Sequence, residues 1–435
     1  MKILIAVLSL AATGANAAVG NIATVGVRDA IDSAVAANLT TKLAQADDDA
    51  ARARVLQAAS ALLPSVLGTA SQGRVFRENL ASQGLTFGGV NPMIGPFDSF
   101  DARAQLTQTL FDLSSIRRYR AAGAGKDLAV HEEALAREQV SAAAALSYIE
   151  AVRAKKSVAA AQADADLAAD LLKLAEDQHA HGTATGVDVV RAKTRLSGSD
   201  VALLRARLTE RQAEIKLLRV AGWPLSQAVE LKDDLTPGAT AVAAIESSLP
   251  EAVSSRPEIR IADAQLRVDR GLLGVAEGGR APVLFASANI GLSGNRPDSG
   301  ARTTGGIGVG LSLPVFSGGL ITGQVREARG SLEKSEARMA DVRVQVEEDV
   351  RLAYETDQEA AHEIGSARQT VELAQQELKM SQDQYAAGTG DNIQVVTAQD
   401  ELTRARDTYV TALARRQDAR VNLAAAMGHA RSFSF

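Results

Sequence analysis

Chemistry requires groups that ionise, ligate a metal or cradle a phosphate, and this 435-residue chain offers few of them in workable patterns. His179 and His181 suggest a metal pair at first sight. They lie two apart, so a helix would turn their rings to different faces, and neither Cys nor an acidic cluster accompanies them. A polar turn is the better reading. His131, His362 and His429 stand alone. Asp47-Asp48-Asp49 reads as a solvated helix face rather than a cation site. Gly306-Ile307-Gly308-Val309-Gly310 looks like part of a dinucleotide fingerprint, but it lies inside an alternating strand pattern with no helix N-terminus directly after it. No Ser/His/Asp grouping has supporting context. The absence of Cys excludes thiolate chemistry, disulfides and lipid attachment through an N-terminal Cys. A formal net charge of −5 leaves no basic footprint for nucleic acid. The sequence therefore predicts no enzyme, no cofactor and no bound metal.

What the chain does carry is a repeat. Gln178-His-Ala-His-Gly-Thr returns as Gln384-Tyr-Ala-Ala-Gly-Thr, 206 positions later. The register holds without a gap: Gly182 meets Gly388, Thr183 meets Thr389, Leu196 meets Leu402, and Gly222 meets Gly428. A long register free of insertions marks an internal duplication. Each copy is a long helical pattern, a Gly-Thr turn and a second helical pattern. Leu128, Leu135, Ala142 and Ile149 are spaced by seven, as are Val189, Leu196 and Leu203, and Val395, Leu402 and Tyr409. Sustained sevens predict coiled-coil packing. Glu210 and Arg416 interrupt the stripe at matched steps, either as register devices or as solvated positions.

Residues 1–17 read as a secretory signal, with Lys2, an apolar run and Ala15-Asn16-Ala17 in order. The first repeat spans 18–222, a linker 223–250, the second repeat 251–428, and a disordered tail 429–435. In each repeat a helix leads into two strands before the long hairpin. In the first repeat the strands fall within about 65–111. Phe100, Ala102, Ala104, Leu106 and Leu110 share one face there, with Asp101, Arg103, Gln105, Thr107 and Thr109 on the other. In the second they fall within about 282–316. Leu284, Ile290 and Leu292 mark the apolar face of one strand, and Ile307, Val309, Leu311 and Leu313 that of the next, opposite Gly and Ser.

Aromatic residues are only 3%, and no soluble core is evident for these apolar faces to cover. In lipid, such strands are permitted only in a closed barrel, because unpaired edges are prohibitive. Small barrels need about eight strands, so four cannot close one. The chain must therefore oligomerise, and three copies would give about twelve strands around an aqueous lumen. The hairpins would form a second, helical tube.

The helix–strand–strand–helix duplication, Leu110-Phe111-Asp112, Val315-Phe316-Ser317-Gly318-Gly319 and the Tyr385-Ala-Ala-Gly-Thr tip together resemble the TolC-like outer membrane efflux protein family, over essentially the whole mature chain. The resemblance implies a mainly α fold with a small β part. It has coiled-coil hairpins in an α-barrel and four strands per chain in a trimeric twelve-strand transmembrane β-barrel. It implies a homotrimer set in outer-membrane lipid, with a long periplasmic extension that docks a periplasmic adaptor and an inner-membrane pump. Gly182, Thr183, Gly388 and Thr389 become adaptor-contacting tips. Tyr385, Asp391, Gln394 and Thr397 become the periplasmic entrance. Where protein-secreting members place acidic residues this chain has Gln394 and Thr397, with Asp391 nearer the turn, which favours drug efflux. The expected function is a passive exit duct for small toxic compounds. A duct for type I protein or peptide secretion, and a periplasmic coiled-coil scaffold without a pore, are the alternatives.

Overall fold

In the computed structural model the described residues are 23–84, 88, 93–237, 245–297 and 300–435. The expected signal at 1–17 lies outside them, as do parts of the 84–96 loop and of the linker. The elements run β1 (Ala23–Val25), α1 (Val27–Ala37), α2 (Leu39–Ser60), β2 (Ser65–Val75), two short strands β3 (Glu78–Asn79) and β4 (Met93–Ile94), and β5 (Phe97–Phe111). The hairpin α3 (Leu113–Ala180) and α4 (Gly186–Ala221) follows, then β6 (Val229–Leu231), α5 (Ile245–Ser255), α6 (Pro257–Gly278), β7 (Val283–Gly294) and β8 (Arg302–Ser312). The second hairpin is α7 (Leu320–Ala386) and α8 (Asn392–Ala426).

These elements form two compact units. The first holds β1, α1, α4, β6, α8, residues 138–180 of α3 and 351–386 of α7. Its core is built on small side chains: Ala30, Ala34, Ala144, Ala145 and Ala154 are fully buried. This is why Ala is so frequent, since helices approach closely only where side chains are short. Larger residues fill the remaining space: Ile31, Tyr148, Ile149, Leu217, Leu413 and Val421. β1 pairs in parallel with β6, a pairing too short to show in the sequence. The Tyr148 hydroxyl donates to the Val25 carbonyl (2.8 Å) and accepts from the Asp233 amide (3.2 Å), and burial pushes its pKa up.

The expectation of a disordered tail fails. Ala430 and Phe433 are buried, and the Ala430 amide donates to Glu138 (2.8 Å). Phe435 sits edge-on to Tyr148 at 5.8 Å, and the Arg420 guanidinium lies 5.6 Å from the Phe433 ring. The segment is too short for any periodicity, and two of its anchoring partners, Glu138 and Tyr148, are nearly 300 residues away in sequence. The two interruptions of the seven-residue stripe also diverge. Arg416 is buried and paired with Asp357, their side chains 3% and 1% exposed, whereas Glu210 is only half-buried.

The second unit holds α2, the sheet, α5, α6, residues 113–137 of α3 and 320–350 of α7. Its helices are joined by close approach. Ser114 Oγ donates to the Val275 carbonyl (2.9 Å) and Arg117 to the Gly274 carbonyl (2.6 Å). Gly271 is required where α6 crosses α3, since a Cβ there would meet the Ala121 Cβ at 2.9 Å. Asp269 is buried and bonded to Ser335 of α7.

The sheet order is β2-β5-β7-β8, antiparallel throughout. The two expected strand pairs are present. Between them β5 pairs with β7, so the duplicated halves share one sheet, with a register shift between Thr109 and Phe111. β2 and β8 are its open edges. β8 stops at Ser312, so Leu313 falls one residue beyond it. Pro314 lacks the amide a ladder requires and restricts the residue before it.

Candidate functional site

The hairpin tips belong to the first unit, and their chemistry is nearly duplicated. Gly182 and Gly388 adopt φ of +78° and +71°, the left-handed region in which a side chain is strained. Each terminates its helix in the same way. The Thr183 amide donates to the Gln178 carbonyl and the Thr389 amide to the Gln384 carbonyl, both at 3.0 Å, and both Thr hydroxyls donate to those same carbonyls. The second helices are capped differently. Thr185 and Asp188 form a reciprocal box, with Thr185 Oγ1 donating to Asp188 at 2.7 Å. Asp391 instead accepts from the Ile393 amide at 3.2 Å.

The two tips also bind one another. Gln178 Nε2 donates to the Tyr385 carbonyl, and Asn392 Nδ2 to the Asp188 carbonyl, each at 3.1 Å. In the sequence Gln178 marks the repeat but not this contact, and Asn392 carries no role. Asn392 was detectable, because it breaks the register by standing opposite Gly186.

The candidate entrance residues separate into two environments. Tyr385 is 7% exposed and packs with Leu378, Val395, Ala398 and Leu402. Among the described residues its hydroxyl has no hydrogen-bond partner. Burial, with Asp188 and Asp391 nearby, pushes its pKa up. Asp391, Gln394 and Thr397 are exposed: Asp391 is committed to its cap, and the Thr397 hydroxyl donates to the Ile393 carbonyl (2.9 Å). Beside the tips an apolar cleft opens between α4 and α8, lined by Val187, Val190, Ile393 and Val396 with Arg191 and Arg195 at its edge.

The histidines at this tip are held by backbone. His179 Nδ1 lies 3.0 Å from the Ala184 carbonyl, and His181 Nδ1 lies 2.7 Å from that of Asp177. Among the described residues no group of three or more His, Cys, Asp or Glu side chains could hold a metal ion.

The sheet belongs to the second unit, and its register sorts side chains by face. Directly opposed residues project the same way. One face carries, row by row, Val66, Leu106, Ala288 and Ile307; Gly68, Ala104, Ile290 and Gly305; Ala70, Ala102, Leu292 and Thr303; and Leu284 beside Leu311. The other carries Thr69, Arg103, Gly291 and Thr304, then Ser71, Asp101, Ser293 and Arg302. Arg103 and Asp101 pair there. Ile307 is 88% exposed and Val309 68%, with Ile290, Leu292, Leu311 and Leu313 also exposed and Leu284 half-buried. No helix among the described residues is long and apolar enough to cross a membrane.

The sequence pattern of the family described as outer membrane efflux protein matches residues 30–223 and 248–429. The chain is 26% identical over 379 residues to the alkaline protease secretion protein AprF of Pseudomonas aeruginosa, covering 82% of this chain and 76% of that one. It is 24% identical over 409 residues to the outer membrane protein TolC of Escherichia coli, covering 88% and 78%. Among solved structures, the outer membrane protein VceC of Vibrio cholerae superposes with a TM-score of 0.80 at 20% identity, covering 93% of this chain and 96% of that one. The CmeC outer membrane channel of Campylobacter jejuni gives 0.78 at 18% identity, covering 93% and 86%.

Proposed function

This chain belongs to the outer membrane efflux protein family, and from that premise we propose that three copies assemble into the exit duct of a tripartite efflux system. It is an outer-membrane protein with a periplasmic helical extension, and a passive channel rather than an enzyme. That placement removes the reading as a poreless scaffold. The observation that carries the trimer is the sheet itself. It has four strands, one apolar exposed face, and two edge strands of 11 residues that find no further partner among the described residues. Each unpaired backbone group facing lipid costs several kcal/mol. Pairing β2 of one copy with β8 of the next removes both edges, and three copies supply about twelve strands, enough for an open lumen.

The tips are the adaptor-contacting surface in this proposal: Gly182, Thr183, Gly388 and Thr389 present near-identical turns at the two hairpin ends, and the Val187–Ile393 cleft provides apolar area beside them. Tyr385 with Asp391, Gln394 and Thr397 forms the periplasmic entrance. In this proposal the inner-membrane pump supplies the energy. The proposed cargo is small toxic compounds, supported by the uncharged Gln394 and Thr397 at the entrance.

A second reading, export of a protein or peptide, is favoured by the similarity to a relative named for alkaline protease secretion. Deletion of the gene separates the two. The proposal expects a fall in tolerance to drugs and dyes with an unchanged set of secreted proteins. Unchanged tolerance with a missing secreted protein would establish the second reading instead.

A further inference from the structure

Among the described strand residues, the outward, apolar face of the sheet carries charge at one level only. From the helix end outward its rows run from Leu284 and Leu311 to Ala70, Ala102 and Leu292, then Gln72 and Phe100, and then Arg74 opposite Asp98. Arg296, just past β7, reaches the same carboxylate: Arg74 Nε lies 3.9 Å from one Asp98 oxygen and Arg296 Nε 4.0 Å from the other. The Arg side chains are 62% and 68% exposed and that of Asp98 33%.

The level of this cluster matters. About twelve residues separate the Leu284 row from Asp98, or ~40 Å along a strand, which a ~45° tilt reduces to ~28 Å of height. The apolar band of an outer-membrane barrel is about 25 Å tall. The cluster therefore stands where hydrocarbon gives way to headgroups. The helices leave from the opposite end of the strands, at Ser65, Phe111, Val283 and Ser312, so this boundary is that of the outer leaflet. Two guanidinium forks held apart by one carboxylate, at the outer limit of ion-pair contact, retain donors for a second anion. Planar forks suit phosphate oxygens.

We propose that Arg74 and Arg296, spaced by Asp98, bind the phosphate groups of an outer-leaflet lipid, the phosphorylated sugar headgroup of lipopolysaccharide. The site rests on the reading of this face as the lipid-facing wall of a barrel. Asp98 sets the spacing of the two forks and keeps the site weak enough to exchange lipid.

The test titrates the purified full-length protein in detergent with diphosphorylated lipid A, and follows bound lipid by native mass spectrometry. Each Arg at an anionic surface contributes about fivefold in affinity, so Arg74→Ser with Arg296→Ser should weaken binding by about 25-fold. Arg74→Lys with Arg296→Lys, which retains the charge but loses the planar forks, should fall between the wild type and the double Ser variant. Asp98→Asn should bind more tightly, a direction that mere disruption of the rim would not give. Dephosphorylated lipid A should bind the wild type and the double Ser variant alike, and inorganic phosphate at matched phosphorus should not compete. Equal affinity of the double Ser variant for lipid A, weaker binding by Asp98→Asn, or full competition by inorganic phosphate would each overturn the site. Planar-bilayer conductance of the same preparations separates the two levels. A conducting wild type with unaltered lipid binding in the variant retires the lipid site alone, whereas a non-conducting wild type retires the barrel reading beneath it.

Discussion

Asp418 on α8 offers a stability test whose sign is fixed by electrostatics. Its carboxyl is half-buried, and burial, with the nearby Glu150 carboxylate adding to it, pushes its pKa from 3.8 up to about 6, while Arg153 pulls the other way. Arg153 is itself engaged with Glu150 at 2.6 Å, so little of its charge is left for Asp418. A raised carboxyl pKa means the folded state holds the proton more tightly than the unfolded state. The associated stability is full below about pH 3.8 and is lost as pH rises through about 6. The displacement corresponds to a ceiling of about 3 kcal/mol, and solvent contact reduces it to about 1–2 kcal/mol. Asp418→Asn removes the charge without changing the shape. At pH 7.5 the variant should therefore melt several degrees higher than the wild type, taking about 2–4 °C per kcal/mol. At pH 4.5 the difference should shrink to about a third of that, and it vanishes only below about pH 3.8. Scanning fluorimetry of both proteins in one detergent, at both pH values, gives the comparison. A variant that is less stable at pH 7.5, or shifted equally at both, would refute the assignment of the burial cost to this carboxyl.

Three further outcomes follow from the geometry. Arg416→Met should destabilise the protein by about 3–5 kcal/mol by stranding a buried Asp357 carboxylate, and adding Asp357→Leu should recover most of the loss in the same melting assay. Tyr385→Phe should leave conductance and stability nearly unchanged, because the buried hydroxyl has no partner among the described residues, whereas Tyr385→Ala should raise single-channel conductance in a planar bilayer by opening the packing around it. Gly388→Asp should lower drug tolerance without loss of the protein from the membrane, since a left-handed turn with a side chain costs about 1–2 kcal/mol and places charge at the tip; undiminished efflux in that strain would refute the tip assignment.

The long elements were legible in the chain because their signals are local. The Gly182-Thr183 and Gly388-Thr389 turns, the seven-residue stripes and the alternation from Ile307 to Leu311 each occupy a short window, and each appears in the structure where the spacing places it. What was not legible depends on residues distant in sequence. Pairing of β5 with β7 fuses the two repeats into one sheet, and neither strand announces its partner. The anchoring of Phe433 and Phe435 requires Tyr148 and Arg420, which no pattern within six residues can signal. The two polar interruptions looked equivalent at matched positions, yet only Arg416 has a buried acid, Asp357, to receive it. At the tips, the turns were predicted but the crossed bonds of Gln178 and Asn392 were not, because each reaches the backbone of the other repeat.

In the proposed trimer β2 of one copy pairs with β8 of another. The chain contains no Cys, so introduced thiols report without background. Thr69→Cys on β2 is combined with one cysteine on β8, moved in turn through positions Arg302 to Gly308, and the oxidised protein is examined in its native membrane on a non-reducing denaturing gel. One register should give a covalent species of three chains, which dithiothreitol returns to single chains. Monomer alone at every position, with each thiol pair closed within its own chain, would contradict that pairing.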